Sequence, residues 1–165
     1  MILQTERLSL RELERSDAPF MLELLTSRGF IENIGDRDIR HLDGATAYIE
    51  RIRDSYAANG FGLWLCEARA DGAPAGICGF VKRDGLDHPD IGYAFLEPFW
   101  DHGYATEAAS ACMTYGRDVL GLTTIVAITG PDNAASIGVL KKIGLHDAGL
   151  IRLPGANEDS AYFST

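Results

Sequence analysis

The stretch Ile91 to Ala109, IGYAFLEPFWDHGYATEAA, restricts the fold more than any other part of the chain. Asp90 to Leu96 is apolar on both faces, the pattern of a central strand covered from both sides. It passes through a short loop, Glu97 to Gly103, straight into a long helix expected over Tyr104 to Leu120. Such a junction aims backbone N–H groups and the positive end of a helix at one point, which favours a phosphate. Gly103 lets a ligand approach the backbone closely, and Ala105 is small beside it. Ala108, Ala109, Cys112 and Gly116 continue a stripe of small residues, so the helix can lie close on a sheet. Gly116 inside a helix costs roughly 1 kcal/mol relative to Ala, which close packing can offset. A tight packing turn without any ligand would give the same pattern. The spacing fits neither Gly-x-x-x-x-Gly-Lys-Ser/Thr nor Gly-x-Gly-x-x-Gly, so nucleoside triphosphates and dinucleotides are poor candidates.

The other elements follow with short connections. Arg7 to Leu13 alternates as a first strand. Ser16 or Asp17 can cap a helix carrying Met21, Leu24 and Leu25, while Gly29 to Leu42 reads as irregular. A second helix starts after Asp43, with Ala45, Tyr48, Ile49, Ile52 and Tyr56 on its apolar face, and ends at Gly60. Phe61 to Arg69 and Ala75 to Lys82 flank Asp71-Gly72, a hairpin signal. Leu122 to Thr129 is a strand, Asn133 to Ile143 a helix ended by Gly144, and Leu145 to Leu153 and Ser160 to Ser164 are closing strands. The order β-α-α-β-β-β-α-β-α-β-β predicts an α/β (α+β) fold. Its mixed, mostly antiparallel sheet is flanked by helices on both faces, with one right-handed parallel crossover over residues 90 to 129.

A length of 165 residues fits one domain, 1–165. No apolar run approaches the ~20 residues that span a bilayer, and Met1 to Leu13 does not read as a signal peptide, so a cytoplasmic protein is expected. Cys66, Cys78 and Cys112 are far apart and form no Cys-x-x-Cys pair, which argues for buried thiols and against a disulfide framework or a metal site. The net charge of −9 disfavours nucleic acid. It suits a cationic substrate, or serves only solubility. A homodimer is the default assembly.

Trp100-Asp101-His102-Gly103-Tyr104-Ala105-Thr106-Glu107-Ala108 resembles the pyrophosphate motif of the GNAT-superfamily N-acetyltransferases, Gln/Arg-x-x-Gly-x-Gly/Ala. An aromatic residue at Trp100 followed by Gly-Tyr-Ala-Thr-Glu-Ala is similar to the ribosomal-protein N-terminal acetyltransferase branch. Asp101 stands where that branch usually has Gly, and His102 where Lys or Arg is usual. A second block, Val126 to Leu145, resembles the family's strand-Asn-x-x-Ser-helix-Lys-x-Gly-Phe, with Leu145 in place of Phe. The opening Thr5-Glu-Arg-Leu-x-Leu-Arg11 is also typical of the branch.

The resemblance implies acetyl-CoA as cosubstrate, no metal, and an amine acceptor, either a protein N-terminus or a small cationic amine, attacking directly in a ternary complex. It places the pantetheine arm along Phe95, Leu96 and Glu97 and the pyrophosphate on Asp101, His102, Gly103, Tyr104, Ala105 and Thr106. Asn133 and Ser136 fall where the family contacts the coenzyme. Backbone N–H near Leu96 is expected to serve the oxyanion. The family's acid, a Tyr in Asn-x-x-Ala-x-x-x-Tyr, is replaced by Leu140, which leaves Ser136 as the candidate acid or as a contact only. Glu158 is the candidate base, with Asp159, Asp90, His88, Glu67 and Glu97 as others. Tyr93, Phe95, Phe99 and Trp100 are candidates for lining the acceptor site or the coenzyme tunnel, with the core reading favoured for Tyr93 and Phe95 on their buried strand. A catalytically weak acyl-CoA-binding module is the alternative function.

Overall fold

The computed structural model describes residues 1–165. Its strands are β1 (Leu3–Gln4), β2 (Leu8–Arg11), β3 (Leu63–Ala68), β4 (Pro74–Val81), β5 (Asp90–Phe95), β6 (Val126–Thr129), β7 (His146–Ile151) and β8 (Ser160–Ser164). Its helices are α1 (Ala18–Thr26), α2 (Arg28–Asn33), α3 (Leu42–Asn59), α4 (Tyr104–Asp118) and α5 (Ala134–Lys142). One eight-stranded sheet runs in the order β1-β2-β3-β4-β5-β6-β8-β7. Every neighbouring pair is antiparallel except β5–β6. The mixed, mostly antiparallel sheet with helices on both faces is the expected fold class.

Two apolar clusters sit on opposite faces, because successive side chains of a strand alternate. Leu65, Ile77 and Ala94 pack under α1 and α3 with Met21, Leu24, Ala45 and Ile49. Cys66, Cys78, Phe80, Ile91 and Phe95 pack under α4 with Ala108, Ala109, Cys112 and Met113. The small stripe of α4 works as the sequence suggested. A Cβ on Gly116 would stand 2.7 Å from Phe80 Cζ, so only Gly fits that approach. All three cysteines are buried free thiols.

Four expectations shift. Gly29 to Leu42 is not wholly irregular, since Ser27 accepts a 3.3 Å bond from the Phe30 N–H and starts the short helix α2. Strand β1 was not expected, and pairs Leu3 with Leu10. The strand expected over Leu122 to Thr129 keeps only Val126–Thr129, and α4 ends at Asp118. No helix is long and apolar enough to cross a membrane.

Candidate active site

Strands β5 and β6 are paired at one point only, Asp90 with Val126, and the Val126 N–H donates to Pro89 O at 2.9 Å. Beyond it β5 follows β4 and β6 follows β8, so the sheet opens. The gap forms a cleft of about 1130 Å³. It reaches from α2 and α3 on one face to the start of α4 and the first turns of α5 on the other.

At the α4 end, Asp101 (φ 61) and Gly103 (φ 81) are both left-handed. Asp tolerates that conformation better than most residues, which explains how it can stand where Gly is usual. The N–H groups of residues 101 to 106 have no protein acceptor, and the first bond back to the loop is Glu107 N to Gly103 O, 3.0 Å. Consecutive free amides at a helix start form an anion cradle.

Beside it stands Arg7, which sequence reasoning did not single out. Its Nε donates to Glu107 Oε1 at 2.7 Å, and its backbone N–H donates to Oε2 at 2.9 Å. The Thr5 hydroxyl donates to the same Oε2 at 2.5 Å. Burial pushes the Glu107 carboxyl up, but the bonds from Thr5 and Arg7 outweigh it and hold it below the usual carboxylate range. The Arg7 guanidinium lies 4.1 Å from the centre of the Tyr104 ring, and Nη2 stands 3.5 Å from where a Cβ on Gly103 would be. Its two terminal nitrogens have no acceptor. The Thr5-x-Arg7 opening was the available signal, but its partner lies 100 residues away.

Across the cleft, Asn133 caps α5 by accepting the Ser136 N–H at 3.2 Å. Tyr93, expected in the core, is half-buried and reaches α5. Its hydroxyl donates to Ser136 O at 3.2 Å and lies 3.0 Å from Ser136 Oγ. Burial pushes the Tyr93 phenol up to about 12, against the bond to Ser136. Leu140 is buried in the core. A phenol therefore stands next to Ser136, supplied by β5 instead of α5. Phe95 is buried, as expected.

The Leu96 N–H is not available for an oxyanion, because it donates to Ala75 O at 2.9 Å. Antiparallel pairing alternates, so this bond turns the N–H groups of Tyr93 and Phe95 away from β4, toward the gap. Phe95 O accepts the indole N–H of Trp100 at 2.8 Å.

Phe95, Asp101, Gly103, Tyr104, Ala105, Thr106, Asn133 and Ser136 line the cleft; Leu96, Glu97 and His102 do not. Neither does Glu158, which is exposed in the turn between β7 and β8. Its neighbour Asp159 pairs with Arg152 at 2.9 Å, and Glu67 with Arg11 at 3.1 Å. Of the carboxylates weighed as a base, only Asp90 lines the cleft. Burial pushes its carboxyl up to about 6, opposed by Arg83 at 2.8 Å.

The acetyltransferase (GNAT) domain family model matches residues 7–146. The chain belongs to the GNAT acetyltransferase family. It is 33% identical over 154 residues to the uncharacterized protein YkkB of Bacillus subtilis, covering 91% of this chain and 88% of that one. It is 30% identical over 168 residues to the uncharacterized N-acetyltransferase YnaD of the same organism, covering 99% and 96%. A solved structure of RimL, a ribosomal L7/L12 α-N-protein acetyltransferase in complex with coenzyme A, has the same fold. The TM-score is 0.85 at 17% identity, over 99% of this chain and 96% of that one. This GNAT enzyme is thus an N-acetyltransferase, and acetyl-CoA is the acetyl donor of its family.

Proposed function

We propose that the whole chain, 1–165, acts as one domain that moves acetyl from acetyl-CoA to a primary amine by direct attack in a ternary complex. The observation that carries this reading is the row of acceptor-free amides at 101 to 106, at one mouth of a cleft that passes through the sheet. Donor and acceptor can then enter from opposite faces. The cysteines are buried and none lines the cleft, so no thiol stands ready to carry the acetyl group between two half-reactions. RimL, by its name, acts on a protein α-amine, which makes a protein N-terminus a natural acceptor class here too.

The roles follow from position. The amides of residues 101 to 106 hold the pyrophosphate, with Arg7 adding positive charge beside Gly103. The N–H groups of Tyr93 and Phe95 face the opening where β6 departs and stabilise the tetrahedral oxyanion. The amine nitrogen attacks the thioester carbon, the C–S bond breaks, and the departing sulfur takes a proton from Ser136, whose proton is replaced by that of Tyr93; the phenol is reprotonated from solvent, which takes the proton the amine loses. An α-amine has a pKa near 8, so water can remove its proton without a dedicated base. The alternative, a catalytically weak acyl-CoA-binding module, draws on Leu140 standing where the acid is usual and on Asp101 and His102 in the loop; the Tyr93 phenol beside Ser136 and Arg7 beside Gly103 support transfer over it.

The test is thiol release from acetyl-CoA across a panel of peptide N-termini and small amines. Amine-dependent release, with the acetylated amine found by mass spectrometry, is expected. Stoichiometric coenzyme binding with no release from any amine would leave the binding module as the better reading.

A further inference from the structure

The cleft reverses the charge of the molecule that contains it. The chain has 24 acidic and 15 basic residues, yet the cleft is lined by Arg37, Arg51, Lys82, Arg83 and Lys142 against Asp90 and Asp101. Asp90 is already paired with Arg83, and Asp101 lies in the phosphate loop.

Most other cations of this acidic chain are occupied. Arg7, Arg11, Arg15, Arg28, Arg40 and Arg152 have carboxylate partners. Arg53 and Arg69 donate to backbone carbonyls. Arg37 and Arg51 have neither kind of partner. The carboxylates adjacent in sequence face other arginines: Asp36 and Asp38 face Arg40, and Glu50 pairs with Arg15, while Asp54, one turn along α3, makes no ion pair with Arg51. Instead the Arg37 guanidinium lies 5.8 Å from the centre of the Phe30 ring, and that of Arg51 lies 5.4 Å from Tyr48. Their forks are held against aromatic faces with the hydrogen-bonding edges free. No Asp or Glu from α2 or α3 lines the cleft.

Their place in the fold separates them from the coenzyme phosphates. Helix α3 covers the sheet face of Leu65, Ile77 and Ala94, while the phosphate loop opens α4 on the opposite face. Arg51 on α3, and Arg37 in the segment between α2 and α3, therefore stand at the acceptor's mouth. A free guanidinium fork matches a carboxylate or phosphate in two-point geometry, and each of these arginines offers one to the cleft. The overall charge of −9 does not override this, because screening limits its reach to about 8 Å at physiological ionic strength, while the forks act at contact.

Resting on the transfer reading above, we propose that the acceptor is an amine that also carries an anionic group, carboxylate or phosphate, held by Arg37 and Arg51. This turns the sequence-based expectation of a cationic acceptor around.

The test uses the full chain, acetyl-CoA and matched primary amines: β-alanine, phosphoethanolamine, ethylamine and putrescine, with the peptides Ser-Glu-Glu, Ser-Gln-Gln and Ser-Lys-Lys. Within each set the anionic member should exceed the neutral one in kcat/KM by about tenfold or more, the scale of one charge-assisted pair, and the cationic member should be poorest. β-Alanine against phosphoethanolamine separates carboxylate from phosphate, and the peptide set separates a protein terminus from a free small amine. Arg37→Gln and Arg51→Gln should each shrink the anionic preference through KM, leaving the acetyl-CoA Kd within about twofold, and Arg51→Lys should restore part of it. Preference for putrescine, ethylamine or Ser-Lys-Lys overturns the proposal while sparing the transfer reading. So does an equal loss for all acceptors in the Gln variants. Thiol release with no amine at all would overturn both.

Discussion

The Tyr93 hydroxyl lies 3.0 Å from Ser136 Oγ, so β5 and the first turn of α5 meet through two hydroxyl groups across the opening of the sheet. Ser136 loses no partner by giving its proton to a leaving thiolate, since the phenol can replace it. Tyr93→Phe should therefore lower the single-turnover rate at saturating acetyl-CoA about tenfold or more, the lower part of the range for a proton donor, with little change in coenzyme Kd. Ser136→Ala should do the same, and the double variant should be no slower than the worse single one, because the pair acts as a unit. Single-turnover rates within about twofold of the parent for Ser136→Ala would remove Ser136 as the acid.

Arg7 is held by Glu107 with its outer nitrogens free beside Gly103. Arg7→Ala should raise the acetyl-CoA Kd about tenfold, the scale of a lost charge-assisted bond, and leave acetyl-pantetheine, which lacks the phosphates, unaffected. Isothermal titration with both ligands checks this. Equal weakening of the two would make Arg7 a packing residue.

Asp90 is the one buried charged residue. Its folded pKa, about 6, lies above the ordinary 3.8, so its contribution to stability is full below the unfolded value and lost as pH rises through the folded one. Asp90→Asn has no such loss. The stability of the variant minus that of the parent should grow by about 2 kcal/mol between pH 4.5 and 7.5, read by urea unfolding at both pH values. A flat difference would mean that Asp90 stays ionised throughout.

A Cβ on Gly29 would overlap the Trp100 indole, which is also tied to Phe95 O. Gly29→Ala should cost about 1–3 kcal/mol through overpacking. In a Trp100→Ala background the same change should cost almost nothing, and a retained penalty would place its cause elsewhere.

The element order was legible because its signals are local: Asp71-Gly72 between two β-rich runs, the period of Ala45 to Tyr56, and the strand-loop-helix of 91 to 109. The free amides of the loop were foreseeable for the same reason. The Arg7–Glu107 and Tyr93–Ser136 contacts were not, since they join residues 100 and 43 positions apart and exist only once the sheet is assembled. The core reading of Tyr93 rests on a strand apolar on both faces, a pattern that reports burial of a ring and not where its hydroxyl ends. Net charge does not report the lining of the cleft, because it averages over the whole surface. Near Leu96 only alternate N–H groups face the gap, because the direction of a strand N–H depends on which neighbour pairs with it.

The most direct test of the account is thermal unfolding with acetyl-CoA, in the parent and in Gly103→Val. At 100 times its Kd the coenzyme should add about 2.7 kcal/mol, or roughly 5–10 °C in Tm for a chain of this size. Gly103→Val places a β-branched side chain at φ 81 in the anion cradle and should abolish the shift while the protein still unfolds cooperatively. No shift in the parent at millimolar acetyl-CoA, or the same shift in the variant, would contradict the placement of the coenzyme on the amides of residues 101 to 106.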